Sequence, residues 1–270
     1  MYYVALCFVA CFLPLLHGET KIMNYSSVSK SKLAFRNAEL AAKVAVHYLN
    51  YQDGSPNAVY SLHELTKYYI EVIPDLGVKH HLQFEVDNKD SSTNVIGNCT
   101  AIVIFNKKNS RPYTNVNCDT SKQYQKDLAR KDLQFYLKIM KQEIPAFATN
   151  IPGKFGLIDS EMMPFWHLAT IGASYIMWEK STERLVYNMA RLQKMNQQIR
   201  NDKYLDFIFV VLLHEIPTQE IVTCFVEVIW YPNLPLNLNY HCVPEHENLV
   251  EGSGVEKVEG SAMEEGSAMI

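Results

Sequence analysis

His63-Glu64-Leu65-Thr66-Lys67 and His214-Glu215-Ile216-Pro217-Thr218 each set a histidine before a glutamate, the order that opens a zinc-protease helix. In H-E-x-x-H the two histidines sit one helical turn apart and hold the metal, with the glutamate as general base. Here Lys67 and Thr218 stand where the second ligand belongs, and Pro217 stops a helix before such a face can form. Neither stretch makes a zinc site, and no metal or other cofactor is expected. G-x-S-x-G, a glycine-rich phosphate loop and C-x-x-C are also missing from the sequence. His80 and His81 are adjacent in a strand-like run, so they point to opposite faces and cannot share a ligand. His47 and His167 lie on apolar helical stretches and read as packing positions, while His241 and His246 flank a cysteine better used in a disulfide. The chain reads as a non-enzyme.

The ends of the chain bound where it works. Residues 1–18, MYYVALCFVACFLPLLHG, carry no Asp, Glu, Lys or Arg and end in a small residue, the form of a secretory signal cleaved near Gly18. Residues 19–32 then read as a flexible amino-terminus. No later segment holds the roughly 18 consecutive apolar residues of a membrane span, so no membrane contact is expected after cleavage. Cys7 and Cys11 lie in the leader, leaving Cys99, Cys118, Cys224 and Cys242. An even number in an oxidising compartment favours disulfides, with three pairings open. Asn24-Tyr-Ser and Asn98-Cys-Thr are glycan acceptor sequences on the same route. Residues 243–270 hold seven Glu and one Lys, a charge of −6 against −4 for the whole chain, so the remainder is +2. That nearly neutral body has no basic face for nucleic acid. The tail, with its VEGSG, VEGSAM and EEGSAM units, reads as acidic and disordered, a solvating comb or one for cations and mineral.

Between the ends the chain repeats itself. At an offset of 127, Tyr48, Val59, Tyr60, Leu65 and Lys67 fall on Tyr175, Val186, Tyr187, Leu192 and Lys194 without a gap. Upstream of both, AELAAKVAVHYLNY and FWHLATIGASYIMW have helical apolar spacing, and Ser160 is a plausible start for the second helix. Downstream, each copy ends in two alternating runs bracketed by cysteines, NCTAIVIF with YTNVNC and TCFVEVIWYP with LNLNYHC. That pattern describes a hairpin, and pairing Cys99 with Cys118 and Cys224 with Cys242 keeps the copies alike. The fold class is therefore α+β: each unit is one helix followed by strands that wrap it. Residues 33–120 form the first unit and 159–242 the second. Residues 121–158 hold a connecting helix, SKQYQKDLARKDLQFYLKIMKQEI over 121–144, and a Pro- and Gly-bearing linker. The segment 184–198 suits a helix by spacing, although its partner SLHELTKYYIEVI leans toward strand.

A helix wrapped by an antiparallel sheet with a cysteine-stapled last hairpin resembles the cystatin fold, and its duplication with a joining helix resembles the latexin family. YLNYQDGSP, IPGKFGLIDSEM, HLATIGASYIMWEKSTE, LLHEIPTQEI and VIWYP carry the resemblance over about residues 33–242. It implies two tandem cystatin-like units and turns 184–198 into a long strand. The leader, the four cysteines and the acidic tail are similar to the secreted branch of the family, which includes eggshell-matrix proteins and a retinoic-acid-receptor responder. The resemblance further implies a metallocarboxypeptidase as protein partner, with zinc belonging to the enzyme. The inhibitory loop would be His214, Glu215, Ile216, Pro217, Thr218 and Gln219, in which His214 and Gln219 match the family pattern while Glu215 and Pro217 depart from it. An added carboxylate at 215 is expected to repel or attract according to the enzyme. The papain-binding Q-x-V-x-G of cystatins is absent, with EVIPDLG in its place. The expected role is a secreted matrix component of eggshell type, its tail meeting calcium carbonate, with inhibitor-like activity. The alternative is a dedicated secreted inhibitor.

Overall fold

The computed structural model describes residues 32–88, 96–108 and 110–244. Helix α1 (Lys32–Asp53) is followed by β1 (Tyr60–Ile73), β2 (Gly77–Asn88), β3 (Gly97–Asn106) and β4 (Tyr113–Thr120). These strands form one antiparallel sheet in sequence order. Helix α2 (Lys122–Met140) leads to β5 (Phe147–Ile151) and α3 (Met163–Lys180). Strands β6 (Tyr187–Gln198), β7 (Leu205–Glu215), β8 (Ile221–Trp230) and β9 (Asn237–Pro244) then complete a second antiparallel sheet, ordered β5 to β9. Two helix-and-sheet units result. Among the described residues, no helix is long and apolar enough to cross a membrane.

Three local readings are corrected. Within the segment 184–198, residues 187–198 form strand β6, not helix. Its register with β7 slips between Met189 and Arg191 and again between Leu192 and Lys194. Two bulges in quick succession turn the strand's period of two into a spacing of three, so Met189, Leu192 and Met195 face the core at intervals that imitate a helix. Strand β1 slips at Leu62/Glu64 and Leu65/Lys67, the same four positions moved back by 127. The linker after α2 contains β5, an edge strand paired to β6 from Phe147↔Asn196 to Ile151↔Leu192. The second helix begins at Met163 with Pro164 in its first turn, not at Ser160. Asp159 closes a turn there by accepting from the Glu161 and Met162 amides. Proline suits that first turn because its missing N–H has no intrahelical partner to lose.

The helices face each other, and small residues set how close they come. Ala38, Ala41, Ala42 and Ala45 of α1 are fully buried, as are Ala169 and Ala173 of α3. A Cβ at Gly172 would lie 3.0 Å from both Val226 and Val228, so glycine lets α3 settle onto its sheet. Tyr48 packs on Trp178 with ring centroids 4.9 Å apart, and Tyr51 on Tyr175 at 4.8 Å. Under the 127 offset each of these pairs is the image of the other, the signature of a two-fold arrangement inside one chain. Helix α2 is capped by Ser121, whose side chain accepts from the Tyr124 amide. Its Phe135 reaches Phe165 and Trp230 in the second core, while its Asp132 accepts from Ser55 and Asn57 beyond the end of α1. The connecting helix thus bolts the units together.

Candidate functional site

The second His-Glu stretch sits where β7 turns into β8. Alternation along β7 buries Val211, Leu213 and Glu215 on the core side and leaves Leu212 and His214 half-buried on the other. The Glu215 amide donates to the Glu220 carbonyl at 2.9 Å, and the Gln219 amide to the Glu215 carbonyl at 2.9 Å. Those bonds close a four-residue turn, 216–219, in which Gln219 adopts φ 63°. Its side-chain amide donates back to the Ile216 carbonyl. The Ile216 amide donates to the Val186 carbonyl at 3.0 Å, and its side chain packs against the first unit's core. Pro217, Thr218 and Gln219 are left exposed.

Glu215 points inward, away from the exposed face of the turn. The Tyr187 phenol donates to one carboxylate oxygen at 2.9 Å, and the Thr218 hydroxyl to the other at 2.9 Å. Burial, then the neighbouring Glu215, pushes the Tyr187 phenol well above the usual tyrosine range, so it stays a donor. A buried carboxylate held by two hydroxyls is satisfied internally and fixes the start of the turn. His214 stands across from Asn188 on β6 and Ile221 on β8. The outward surface of the turn is therefore His214, Pro217 and Gln219, one imidazole, one rigid ring and one amide, with the Thr218 hydroxyl turned in to Glu215. Such groups can donate and accept hydrogen bonds at a protein surface.

The first His-Glu stretch builds no comparable turn. His63 lies on β1 with Nδ1 3.3 Å from the Asp87 carboxylate, exposed to solvent. Among the described residues, no three His, Cys, Asp or Glu side chains come together as a metal site. His47 and His167 are hydrogen-bonded packing residues, each to the other unit: His47 Nε2 to the Tyr187 carbonyl at 3.1 Å, His167 Nδ1 to the Pro56 carbonyl at 2.8 Å. Cys99–Cys118 and Cys224–Cys242 are bonded, each pair directly opposed across its hairpin with Cα atoms 4.1 and 4.0 Å apart. Asn98 is exposed beside its cysteine. Asn24, the leader 1–18 and tail residues 245–270 lie outside the described residues.

Tyr187 is the residue that reading the sequence missed. It stands in the 127 repeat, yet its partner Glu215 is 28 residues away and no local pattern joins them. The register of the first unit would have found it. Tyr60 pairs with Asn88, and adding 127 to both gives Tyr187 and Glu215.

The comparisons with known proteins agree with this architecture. The latexin family model matches residues 31–248. Ovocalyxin-32 of Gallus gallus is 37% identical over 219 residues, 81% of this chain and 78% of that protein. Human retinoic acid receptor responder protein 1 is 35% identical over 84% of this chain and 78% of its own length. Human latexin is 35% identical over 72% of this chain and 87% of its own. The chain belongs to the latexin family and, like its relatives, is not an enzyme.

Proposed function

We propose that the protein is a secreted component of a mineralised, eggshell-type extracellular matrix that retains metallocarboxypeptidase-inhibitor activity on the 214–219 turn. The observation that carries the inhibitor reading is the inward Glu215. This residue, one of the two that depart from the family pattern, supports the turn from below and leaves His214 and Gln219 at its surface, the Gln219 amide bonded back to the Ile216 carbonyl. A turn held at both ends by strands loses little conformational entropy on docking. The enzyme supplies the zinc, and this chain supplies hydrogen-bonding groups to the rim of its active site.

The matrix reading draws on the likeness to ovocalyxin-32, the leader, the Asn24 and Asn98 acceptor sequences and the acidic tail. Carboxylates scattered along a sequence bind Ca²⁺ weakly where no cage is preformed. Adsorption to calcium carbonate should be weak and salt-sensitive, and removing 243–270 should reduce it. Purified protein should slow a pancreatic-type carboxypeptidase, and His214→Ala with Gln219→Ala should weaken that inhibition. Folded protein that leaves the enzyme untouched at micromolar concentration overturns the inhibitor half, and an unchanged adsorption isotherm overturns the mineral half.

A further inference from the structure

A cleft of about 670 Å³ opens between the two units, where α1, α3, the starts of β1 and β6 and the 152–158 loop meet. Its size falls in the range of small-molecule sites. The walls are largely apolar, with Trp166 and the three methionines Met163, Met177 and Met189. Unbranched thioether side chains refill irregular space at low cost, so such a wall adapts to a flexible apolar guest. Lys43 is the one charged side chain among the described lining residues, which include no Asp or Glu. Its ammonium is engaged by Glu39 at 3.2 Å, with both side chains partly in solvent, a contact that an incoming anion can displace.

The deep part of the cleft carries an unmet polar group. Ser174 is fully buried, lines the cleft and has a hydroxyl with no hydrogen-bond partner. It is the 127-offset counterpart of His47, which spans the unit boundary to the Tyr187 carbonyl. The corresponding carbonyl of Tyr60 is already taken by the Asn50 side-chain amide at 2.9 Å. A hydroxyl in apolar surroundings without a partner costs free energy that a bound group can return.

We propose that this cleft is a binding site for a small amphipathic carboxylate of the fatty-acid type. The carboxylate meets Lys43 at the mouth, and the chain lies among Trp166, Met163, Met177 and Met189. A polar substituent partway along the chain would engage Ser174 and tighten binding, while an unsubstituted chain leaves that hydroxyl unmet. The site is separate from the 214–219 turn and does not rest on the inhibitor reading.

Calorimetric titration of the whole secreted chain with dodecanoate, below its micelle concentration, tests the assignment. Saturable one-to-one binding is expected, accompanied by a change in tryptophan fluorescence. Lys43→Glu should weaken dodecanoate roughly tenfold or more and leave the neutral dodecanol unchanged, because it reverses only the charge at the head. Thr170→Trp, at a half-buried lining position, should abolish both while circular dichroism stays native. Absence of saturable dodecanoate binding to the folded protein overturns the site. Binding that Thr170→Trp leaves intact, with the fold unchanged, moves the ligand elsewhere and overturns it equally. Dodecanoate binding that Lys43→Glu leaves intact overturns the placement of the head group.

Discussion

The two units share a plan down to their bulges, so positions 127 apart can be compared as if they were variants of one protein. The most instructive pair is His80 and Phe207. Both are fully buried, they lie on the equivalent strands β2 and β7, and they face Val103 and Val228. Phe207 stacks on Phe209 and meets Phe165 edge-on. His80 meets Phe105 edge-on at 5.6 Å, and neither ring nitrogen has a hydrogen-bond partner. The second unit thus fills its core with aromatic surface, while the first carries a titratable ring in the same place. A second pair, Asn88 and Glu215, separates the units by purpose. Asn88 donates to Asn57 and Tyr124, tying the first unit to α2, whereas Glu215 turns the same corner into a support for the exposed turn. The shared helix-and-strand plan builds a joint in one copy and a platform in the other.

The largest expected effect is on the aromatic side of that comparison. Phe207→Ala removes a fully buried ring and leaves a cavity, which should cost about 3–5 kcal/mol in denaturant unfolding. His80→Leu keeps apolar volume and removes two unpaired ring nitrogens, so it should be neutral or stabilising by about 1 kcal/mol. A loss at His80→Leu as large as that at Phe207→Ala would mean that the imidazole has a partner, and the contrast would fail.

Acid should act mainly through the first unit. Burial lowers His80 from 6.5 to about 4, with the neighbouring His81 adding to the shift, and burial likewise lowers His47 to about 4. His47 lines the cleft yet is enclosed on its other sides, and the backbone bond to Tyr187 only partly offsets that burial. Between these values and 6.5 the unfolded chain binds more protons than the folded one. Stability from this source is full above about pH 6.5 and is lost as pH falls through about 4, on the order of 3 kcal/mol per histidine. Urea unfolding at several pH values should show that slope, and His80→Leu should remove about half of it. A slope unchanged by the substitution would place the acid sensitivity elsewhere.

What the sequence disclosed about the fold was whatever repeated. The 127 offset, the matched cysteine spacings and the helical stripes led to two helix-and-sheet units and a joining helix. It misled where a strand carries bulges, because Met189, Leu192 and Met195 recur at a spacing that belongs to helices. The repeat itself held the remedy, since Leu62, Leu65 and Tyr68 have the same spacing in a segment that leans toward strand. β5 escaped notice because five residues between a helix and a proline carry too little pattern. At the turn, the positions of His214 and Gln219 were legible, while the direction of Glu215 was not. Its side chain is set by counting strand alternation from β7's buried end and by a phenol 28 residues away.

Glu215 sharpens the platform half of the comparison at a smaller scale. Glu215→Ala leaves the buried Tyr187 phenol without its acceptor and the turn without its support, a loss of about 1–3 kcal/mol. Glu215→Gln keeps an acceptor oxygen and should cost less. Hydrogen exchange at the Ile216 and Gln219 amides should quicken in Glu215→Ala well before the disulfide-bonded hairpin opens. Equal exchange in both variants and in the parent would show that the turn is held by its backbone bonds alone.

The smallest effect on stability is the most informative about binding. Gln219 holds a left-handed backbone at φ 63°, where a side chain costs about 1 kcal/mol and glycine costs little. Gln219→Gly should relieve that strain, lose the bond to the Ile216 carbonyl and gain entropy in the unfolded chain. The net change should stay within about 0.5 kcal/mol. The turn keeps its shape and loses its amide. His214→Ala should be similarly quiet, since the ring lies half-exposed on the outer face of β7. If the turn docks on a carboxypeptidase, each substitution should weaken inhibition by about tenfold, the loss of roughly 1.4 kcal/mol at an interface. Gln219→Ala, which keeps the strain and loses the amide, should match Gln219→Gly in inhibition while falling below it in stability. A Gln219→Gly protein that inhibits as well as the parent would assign recognition to the backbone and Pro217. The platform would then present a shape and no side-chain chemistry at that corner.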